Sequence, residues 1–405
     1  MSGSAVGLNW RYLFSKRGYM LTTASFTGNG WKSWLGNDEN HSLDGDEVFE
    51  RELHLKSELT YQLSDAIELK GGIFGKSINS DHYTWFGPDT THFGFIFPAN
   101  TISFYPSITF KAGGFLQTTI RPSNRFSLVA GLRSEYFDFT DEFKISPRIG
   151  LNYFLTDKLI LTTSYGYYYQ TPSTYQAALD PANTNMLSSR AIHNIAGLEY
   201  LFSPDTKMSI ELYQKDLDFT FIESDTTRKI TNEGSGYSRG IEFYIQQKMS
   251  QKLVGSLAYT YSISKRKDGD NLPLYDFEFD QRHNFTLAAG YKLTNNWRIG
   301  LKFQYATGMP YTPATGTALK NDCWYVVEGG KNSARYPDVH KLDIRVDRTF
   351  HFNNWTLTAF FDLWNVYNQD NVLYYSFDVD DSGNITRDAS YDFSLLPIIG
   401  ISAQF

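Results

Sequence analysis

The sequence predicts an all-β fold, an antiparallel transmembrane β-barrel. Three observations predict it. Apolar and polar side chains alternate along runs of about ten residues or more, the two-residue period of a strand with two unlike faces. Aromatic residues make up 17% of the chain and recur near the ends of those runs, where a barrel in lipid carries its girdles. Short and long connections take turns along the chain, as the two ends of such a barrel require.

In chain order, the runs read as about seventeen strands: 5–14, 18–28, 49–63, 66–80, 101–121, 125–137, 144–154, 158–170, 189–202, 206–222, 236–249, 252–264, 282–294, 296–306, 338–352, 355–367 and 393–405. In the third, Leu53, Leu55, Leu59, Tyr61 and Leu63 oppose Glu52, His54, Lys56, Glu58 and Gln62. In the eighth, Leu159, Leu161, Thr163, Tyr165, Tyr167 and Tyr169 oppose Ile160, Thr162, Ser164, Gly166, Tyr168 and Gln170. In the twelfth, Leu253, Leu257, Tyr259, Tyr261 and Ile263 oppose Ser256, Ala258, Thr260 and Ser262. The fourteenth sets Trp297, Ile299, Leu301, Phe303 and Tyr305 against Arg298, Gly300, Lys302 and Gln304. An apolar face toward lipid and a charged, small-residue face toward a wet lumen account for the pattern; only helices and closed barrels satisfy every amide inside a bilayer. A soluble sandwich would carry shorter strands, with the apolar face turned inward.

The short connections are tight-turn residues: Ser15-Lys16-Arg17-Gly18, Ser64-Asp65, Pro122-Ser123-Asn124, Thr156-Asp157, Ser203-Pro204-Asp205, Ser250-Gln251, Asn295-Asn296 and Asn353-Asn354. The long ones are 29–48, 81–100, 138–143, 171–188, 223–235, 265–281, 307–336 and 368–392. Short turns face the periplasm and long loops face outside. The first strand therefore descends, whereas a complete barrel begins by ascending, and single-chain bacterial barrels have an even strand count. Both points lead to the expectation that upstream strands are missing from this sequence. The start, Met1 to Ala5, has no apolar run behind a charged one, so no signal peptide is expected there: either export is not intended or the start is missing.

Composition excludes several classes. With 37 basic against 44 acidic residues the net charge is −7, and the pI is near 5.7; nucleic acid, which needs a basic face, is not an expected partner. One cysteine, Cys323, leaves no disulfide framework, Cys-based zinc site or iron–sulfur cluster. No apolar stretch is long enough for a membrane-spanning helix.

At five places the residues resemble a known family. Ile145-Ser-Pro-Arg-Ile-Gly-Leu-Asn-Tyr153, a short turn, and Ser164-Tyr-Gly-Tyr-Tyr-Tyr-Gln-Thr-Pro172 are similar to the mid-barrel signature of TonB-dependent outer-membrane receptors. Asn232-Glu-Gly234 followed by Ser238-Arg-Gly-Ile-Glu242 resembles the family's Asn-x-Gly…Gly-x-Glu strand. Pro337 to Val346 and Asp362-Leu-Trp-Asn-Val-Tyr-Asn368 resemble its third-last and second-last strands, and Pro397 to Phe405 its last. The resemblance implies twenty-two strands around an N-terminal plug domain. Residues 1–405 would then be the C-terminal portion of the barrel, sixth to last strand, with plug and coupling box outside it. It further implies the outer membrane of a Gram-negative bacterium and energised uptake of a scarce ligand: a metal chelate, a vitamin, an oligosaccharide or a peptide. The implied partners are outer-membrane lipid, the barrel-assembly machinery, which reads the terminal aromatic Phe405, and the TonB energy-transducing complex acting through the plug. A surface lipoprotein is a candidate partner. No cofactor, metal or covalent chemistry is expected.

Chemistry-bearing motifs are few. Gly-x-Ser-x-Gly, a P-loop and His-Glu-x-x-His are all absent. The His residues are scattered, with His54 and His193 expected in the lumen. Asp378-Val-Asp-Asp-Ser-Gly383-Asn384 starts like a calcium loop, but Ala389 stands where the bidentate Glu belongs, so a hairpin tip is expected. Asp268, Asp270, Asp276, Glu278 and Asp280 load one loop with carboxylates; they suit either a solvated cluster or a divalent-ion or cationic-ligand site.

Ligand-binding candidates are the aromatics assigned to long loops: Trp31, Trp34, Tyr83, Trp85, Phe86, Trp324 and Tyr325. Such faces suit sugar rings, aromatic chelators or peptide side chains; the alternative is an interfacial girdle or a loop packed on itself. Lumen candidates are Lys56, Glu58, Arg133, Glu135, Arg148, Glu242 and Arg345, together with Glu68, Lys70, Glu211, Lys302 and Asp343. Cross-strand pairing would satisfy them; in the family resembled, many such groups contact the plug. Two rival functions stay open. A passive porin of sixteen to eighteen strands would conduct without a plug. An outer-membrane hydrolase would need a Ser or Asp/His group at one rim.

Overall fold

The computed structural model describes residues 2–34, 45–86, 89–90, 96–97, 100–173, 176, 185–223, 230–248, 252–320 and 323–405. Its main feature is one eighteen-stranded sheet, of which one member is the two-residue stub Tyr275–Asp276. The other seventeen strands are β1 (Ser2–Ser15), β2 (Gly18–Trp34), β3 (Gly45–Ser64), β4 (Ile67–Phe86), β5 (Asn100–Ser123), β6 (Phe126–Phe137), β7 (Glu142–Phe154), β8 (Leu159–Gln170), β9 (Ser189–Ser203), β10 (Thr206–Glu223), β11 (Ile230–Gln247), β12 (Leu253–Lys267), β13 (His283–Lys292), β14 (Trp297–Ala306), β15 (Val339–His351), β16 (Thr356–Trp364) and β17 (Leu396–Gln404). Each pairs antiparallel with its chain neighbours, as the all-β prediction requires.

The two faces separate as the alternation predicts. On β3, Leu53, Leu55, Leu59 and Leu63 are exposed, while His54 and Lys56 lie on the other face beside Ser25 and Thr23 of β2. On β17, Ile399 and Ile401 are 81% and 74% exposed. Among the described residues only Ile78, Trp85, Phe137, Met186, Ile230 and Val326 are both apolar and buried. A wall with lipid on one side and water on the other needs no conventional core.

Aromatics mark the short-turn rim. Phe14 stacks on Tyr61 with centroids 6.1 Å apart, Tyr200 meets Phe202 edge-on at 4.7 Å, and Trp355 lies between Phe352 and Phe405 at 4.3 and 5.9 Å. Phe405 follows the last strand and is 96% exposed.

One placement differs from expectation. Trp31 and Trp34 belong to β2, and Tyr83, Trp85 and Phe86 to β4, rather than to loops. β2–β3 and β3–β4 stay paired out to Trp34↔Gly45 and Gly45↔Trp85. Above the bilayer a hairpin keeps its ladder hydrogen bonds although the lipid that imposed the alternation is gone. Trp324 and Tyr325 lie within a long loop, on a hairpin of Ala314–Lys320 with Cys323–Glu328. A second loop hairpin joins Val372–Val379 to Ile385–Tyr391.

Candidate functional site in the lumen and its extracellular rim

On the lumen face, β3 to β8 line a cleft of about 400 Å³ that gathers Lys56, Glu58, Arg133, Arg148 and Tyr168. Residues two apart on a strand share a face, so long side chains pair along it. Lys56 Nζ is 2.9 Å from Glu58, and Arg133 Nε is 2.9 Å from Glu135. Lys70 reaches Glu58 across the ladder at 3.7 Å, and Lys76 meets Glu52 at 2.7 Å. Arg133 also lies 4.6 Å over the Phe74 ring. Arg148 lies 4.3 Å over Tyr168, whose other contact is His193, stacked at 4.3 Å. Guanidinium, phenol and imidazole form one layered wall facing the lumen, a surface suited to planar or anionic groups.

β11 to β16 line a second lumen cleft of about 710 Å³, with Lys302, Asp343, Arg345 and Asp362. Its floor is small: Ser256, Ala288, Gly290 and Gly300. Arg345 is 2.9 Å from Asp347, 3.7 Å from Asp362 and 3.9 Å from the Phe360 ring. Cross-strand pairing thus satisfies only part of the lumen, and same-strand pairs do as much. Glu242 departs from both patterns. It lies directly opposite Glu211 in the β10–β11 register, and no basic side chain lies within 4 Å of either among the described residues. Like charges in direct register destabilise a ladder, so this point of the wall favours any cation brought to it.

At the long-loop rim the carboxylates of 268–280 divide: Asp270 and Glu278 are exposed to solvent, whereas Asp268, Asp276 and Asp280 are drawn into ion pairs. Bases from β12, from Arg282 at the end of the same loop and from a loop more than fifty residues away neutralise these three. Asp280, almost fully buried, accepts from Arg335 at 2.5 Å, from Arg282 at 3.1 Å and from the Ser264 backbone at 2.5 Å. Asp276 takes Arg335 at 2.7 Å and both Lys265 and Arg282 at 3.0 Å. Asp268 takes Lys331 at 2.6 Å and the Tyr275 hydroxyl at 2.7 Å. Burial would raise the Asp276 carboxyl, but the Lys265 and Arg335 bonds outweigh it and hold the group below the usual carboxylate range. Burial, with Asp268 as hydrogen-bond partner, pushes the Tyr275 phenol up. The cluster clamps loop 268–282 onto loop 307–338. The sequence names its acids, but Arg282, Lys331 and Arg335 carry no local signal.

The segment 378–384 is a hairpin tip. Asp380 accepts from the Ser382 and Asn384 backbones at 2.9 and 2.8 Å, and Gly383 supplies φ 83°. These bonds, led by the Asn384 side chain, lower the Asp380 carboxyl.

The aromatic candidates divide. Trp85 is buried and packs over Gly45, where no Cβ would fit. Trp324 packs over Gly383 of the other loop hairpin, beside a 2.9 Å bond from the Thr317 hydroxyl to the Gly383 carbonyl. Tyr325 is partly covered. Trp31 is 50% and Tyr83 37% exposed, leaving their rings available. The side chains of Trp34 and Phe86 lie outside the described residues. A group the sequence reading missed is Tyr311, Tyr336, Tyr375 and Phe377. Tyr311 stacks on Tyr336 at 4.6 Å, Tyr375 meets both, and Arg387 caps Tyr375 at 4.5 Å. The four residues come from two loops, so no single window of sequence displays them.

One Ser/His/carboxylate group sits on β3–β4. Ser80 Oγ donates to Glu50 at 3.1 Å and lies 3.0 Å from His82 Nε2. Ser80 is 1% exposed. A hydroxyl spent on a carboxylate and closed to solvent is poorly placed to attack a substrate, so this group ties two strands.

The sequence matches a family model described as TonB dependent receptor-like, beta-barrel, over residues 3–393. A search of curated protein sequences found no match. Similar solved structures include the ferric citrate transporter FecA in its unliganded form (15% identity, TM-score 0.68). Others are the ferric-catecholate import receptor Fiu of E. coli K12 (13%, 0.67) and the pyoverdine outer-membrane receptor FpvA of Pseudomonas aeruginosa PAO1 bound to pyoverdine (13%, 0.68). Each covers 99% of this chain, which spans 61%, 63% and 61% of theirs.

Proposed function

Because this chain belongs to the TonB-dependent receptor-like β-barrel family, a family of the Gram-negative outer membrane, we propose that it forms barrel wall of a receptor for energised uptake of a scarce, bulky ligand. The observation that carries the reading is the family match over residues 3–393 on a sheet whose lumen face is charged and whose outer face is apolar. Lumen charges of both signs, layered rings and the Glu211/Glu242 pair suit a plug domain seated in the lumen better than a bare water path. The TonB complex would act through that plug, ligand would meet the rim and the plug apex, and the protein would make or break no covalent bond. The chain's terminal aromatic, Phe405, stands exposed where assembly machinery can read it. Since the three similar structures are a ferric citrate transporter, a ferric-catecholate import receptor and a pyoverdine receptor, a metal chelate is the first ligand class to test.

The test is uptake by cells that carry or lack the complete gene, offered radiolabelled ferric chelates, cobalamin, oligosaccharides and peptides in turn. For one class, uptake should fall with the gene deleted and equally when a protonophore collapses the inner-membrane gradient. Uptake of that class that ignores the protonophore would overturn energised transport and favour the passive porin.

A further inference from the structure

The outer wall holds a depression on its lipid side. Its volume is about 840 Å³, and its lining runs from Leu128 on β6 to Tyr261 and Ile263 on β12. The alternation places the lining side chains on the lipid side. Ile149, Tyr165, Leu212, Ile241 and Tyr261 are all exposed there, while the lumen groups His193, Glu211 and Glu242 belong to the opposite parity. The hollow arises because Thr163 and Ala196 stand side by side between bulkier neighbours.

Its upper edge is polar. Asn194, Gln214 and Arg239 are register partners on β9, β10 and β11, all three are exposed, and all three line the depression. Gln214 spends its amide on Asp216 at 2.9 Å. Neighbouring bases on this face are paired, Arg190 with Asp218 at 2.6 Å and Lys265 with Asp276 at 3.0 Å. Arg239 has the Tyr237 ring at 4.9 Å, and no carboxylate lies within 4 Å of it among the described residues.

Height decides which leaflet this is. Gln214 and Arg239 each stand eight residues from the short-turn ends of β10 and β11. At ~3.3 Å per residue and a tilt of ~40° that is about 20 Å, in the outer half of a ~25 Å apolar band. The tyrosines Tyr165, Tyr167 and Tyr237 stand at the same level or one step above. Across the chain direction the depression spans seven strands at ~4.8 Å each, room for more than one acyl chain.

We propose that this depression binds a phosphorylated, multiply acylated lipid of the outer leaflet. Its acyl chains would lie over Thr163, Ala196, Leu212 and Ile241, and its phosphate would accept from Arg239, with Asn194 as a further donor. The site makes no use of the uptake reading beyond the chain's residence in that membrane, so either can fail alone.

The probe is hexa-acyl lipid A in nanodiscs, bis-phosphorylated or with both phosphates removed, added to the complete receptor and read by native mass spectrometry. The unmodified receptor should retain the phosphorylated form with about tenfold preference, the size of one charge-assisted contact. Arg239→Ala should abolish the preference, Arg239→Lys should keep most of it, and Leu212→Trp, which fills the hollow, should weaken both forms. Heat-modified gel mobility confirms that each variant has folded. Equal retention of the two forms by the unmodified receptor, or an unchanged preference in Arg239→Ala, overturns the proposal. So does unchanged binding in Leu212→Trp.

Discussion

Asp280 shows how one side chain can decide the behaviour of two loops. It is buried, and Arg335, Arg282 and the Ser264 amide all converge on it. Removing one partner of a buried ion pair costs about 3–5 kcal/mol because the other charge is stranded. Asp280→Asn in the complete receptor should therefore free loops 268–282 and 307–338 to limited trypsin digestion. The melting of the barrel itself should stay in place, because the loss is local; unchanged digestion would show that the clamp does not hold the loops. Acid should act through Asp276. Its folded carboxyl is held below the ordinary range, so its contribution is present above the unfolded value and is lost as pH falls through the folded one. Protection from an acid-active protease should be equal at pH 7 and pH 5 and decline only below the ordinary Asp value of about 3.9. Loss of protection already at pH 5 would contradict the clamp. The acids of this cluster were legible in the sequence. Their partners were not, because Asp268 and Lys331 lie sixty-three residues apart and nothing in a loop's composition says which loop it will meet.

At the scale of the strand, the two faces carry opposite rules. Leu59 is exposed on the lipid face, whereas its neighbour Thr60 points to the lumen beside Lys70. Leu59→Arg should destabilise the folded receptor in vesicles by about 2–4 kcal/mol, the cost of arginine near the midplane, and Thr60→Arg by much less. Urea titration of both variants measures it, and equal losses would mean that the face assignment is wrong. The strands were readable because lipid on one side and water on the other enforce period two over the whole span. Their outer ends were not. Residues 29–34 and 81–86 extend β2 and β4, yet they lack the apolar–polar alternation because no lipid faces them. The same loss of pattern explains Trp85 and Trp324. Each covers a glycine, Gly45 and Gly383, that is distant in sequence, and an aromatic in a polar window reads alike whether it binds a ligand or packs a loop. The lumen charges were legible as a face but not as pairs. Lys56 pairs with Glu58 along β3 and Arg133 with Glu135 along β6, while Glu242 meets another acid.

For the whole molecule, the seventeen strands, the charged lumen face and the family match are those of a TonB-dependent receptor-like β-barrel. The chain spans about three-fifths of the length of FecA and FpvA. On the proposed function, the lumen of the complete receptor is closed until energy is supplied. The direct measurement is single-channel conductance of the purified full-length receptor in planar lipid bilayers. The membrane should stay silent with untreated protein, and steps of current should appear only when a denaturant in the bath loosens the lumen. Steady conductance from the untreated receptor would contradict it and make the protein a porin.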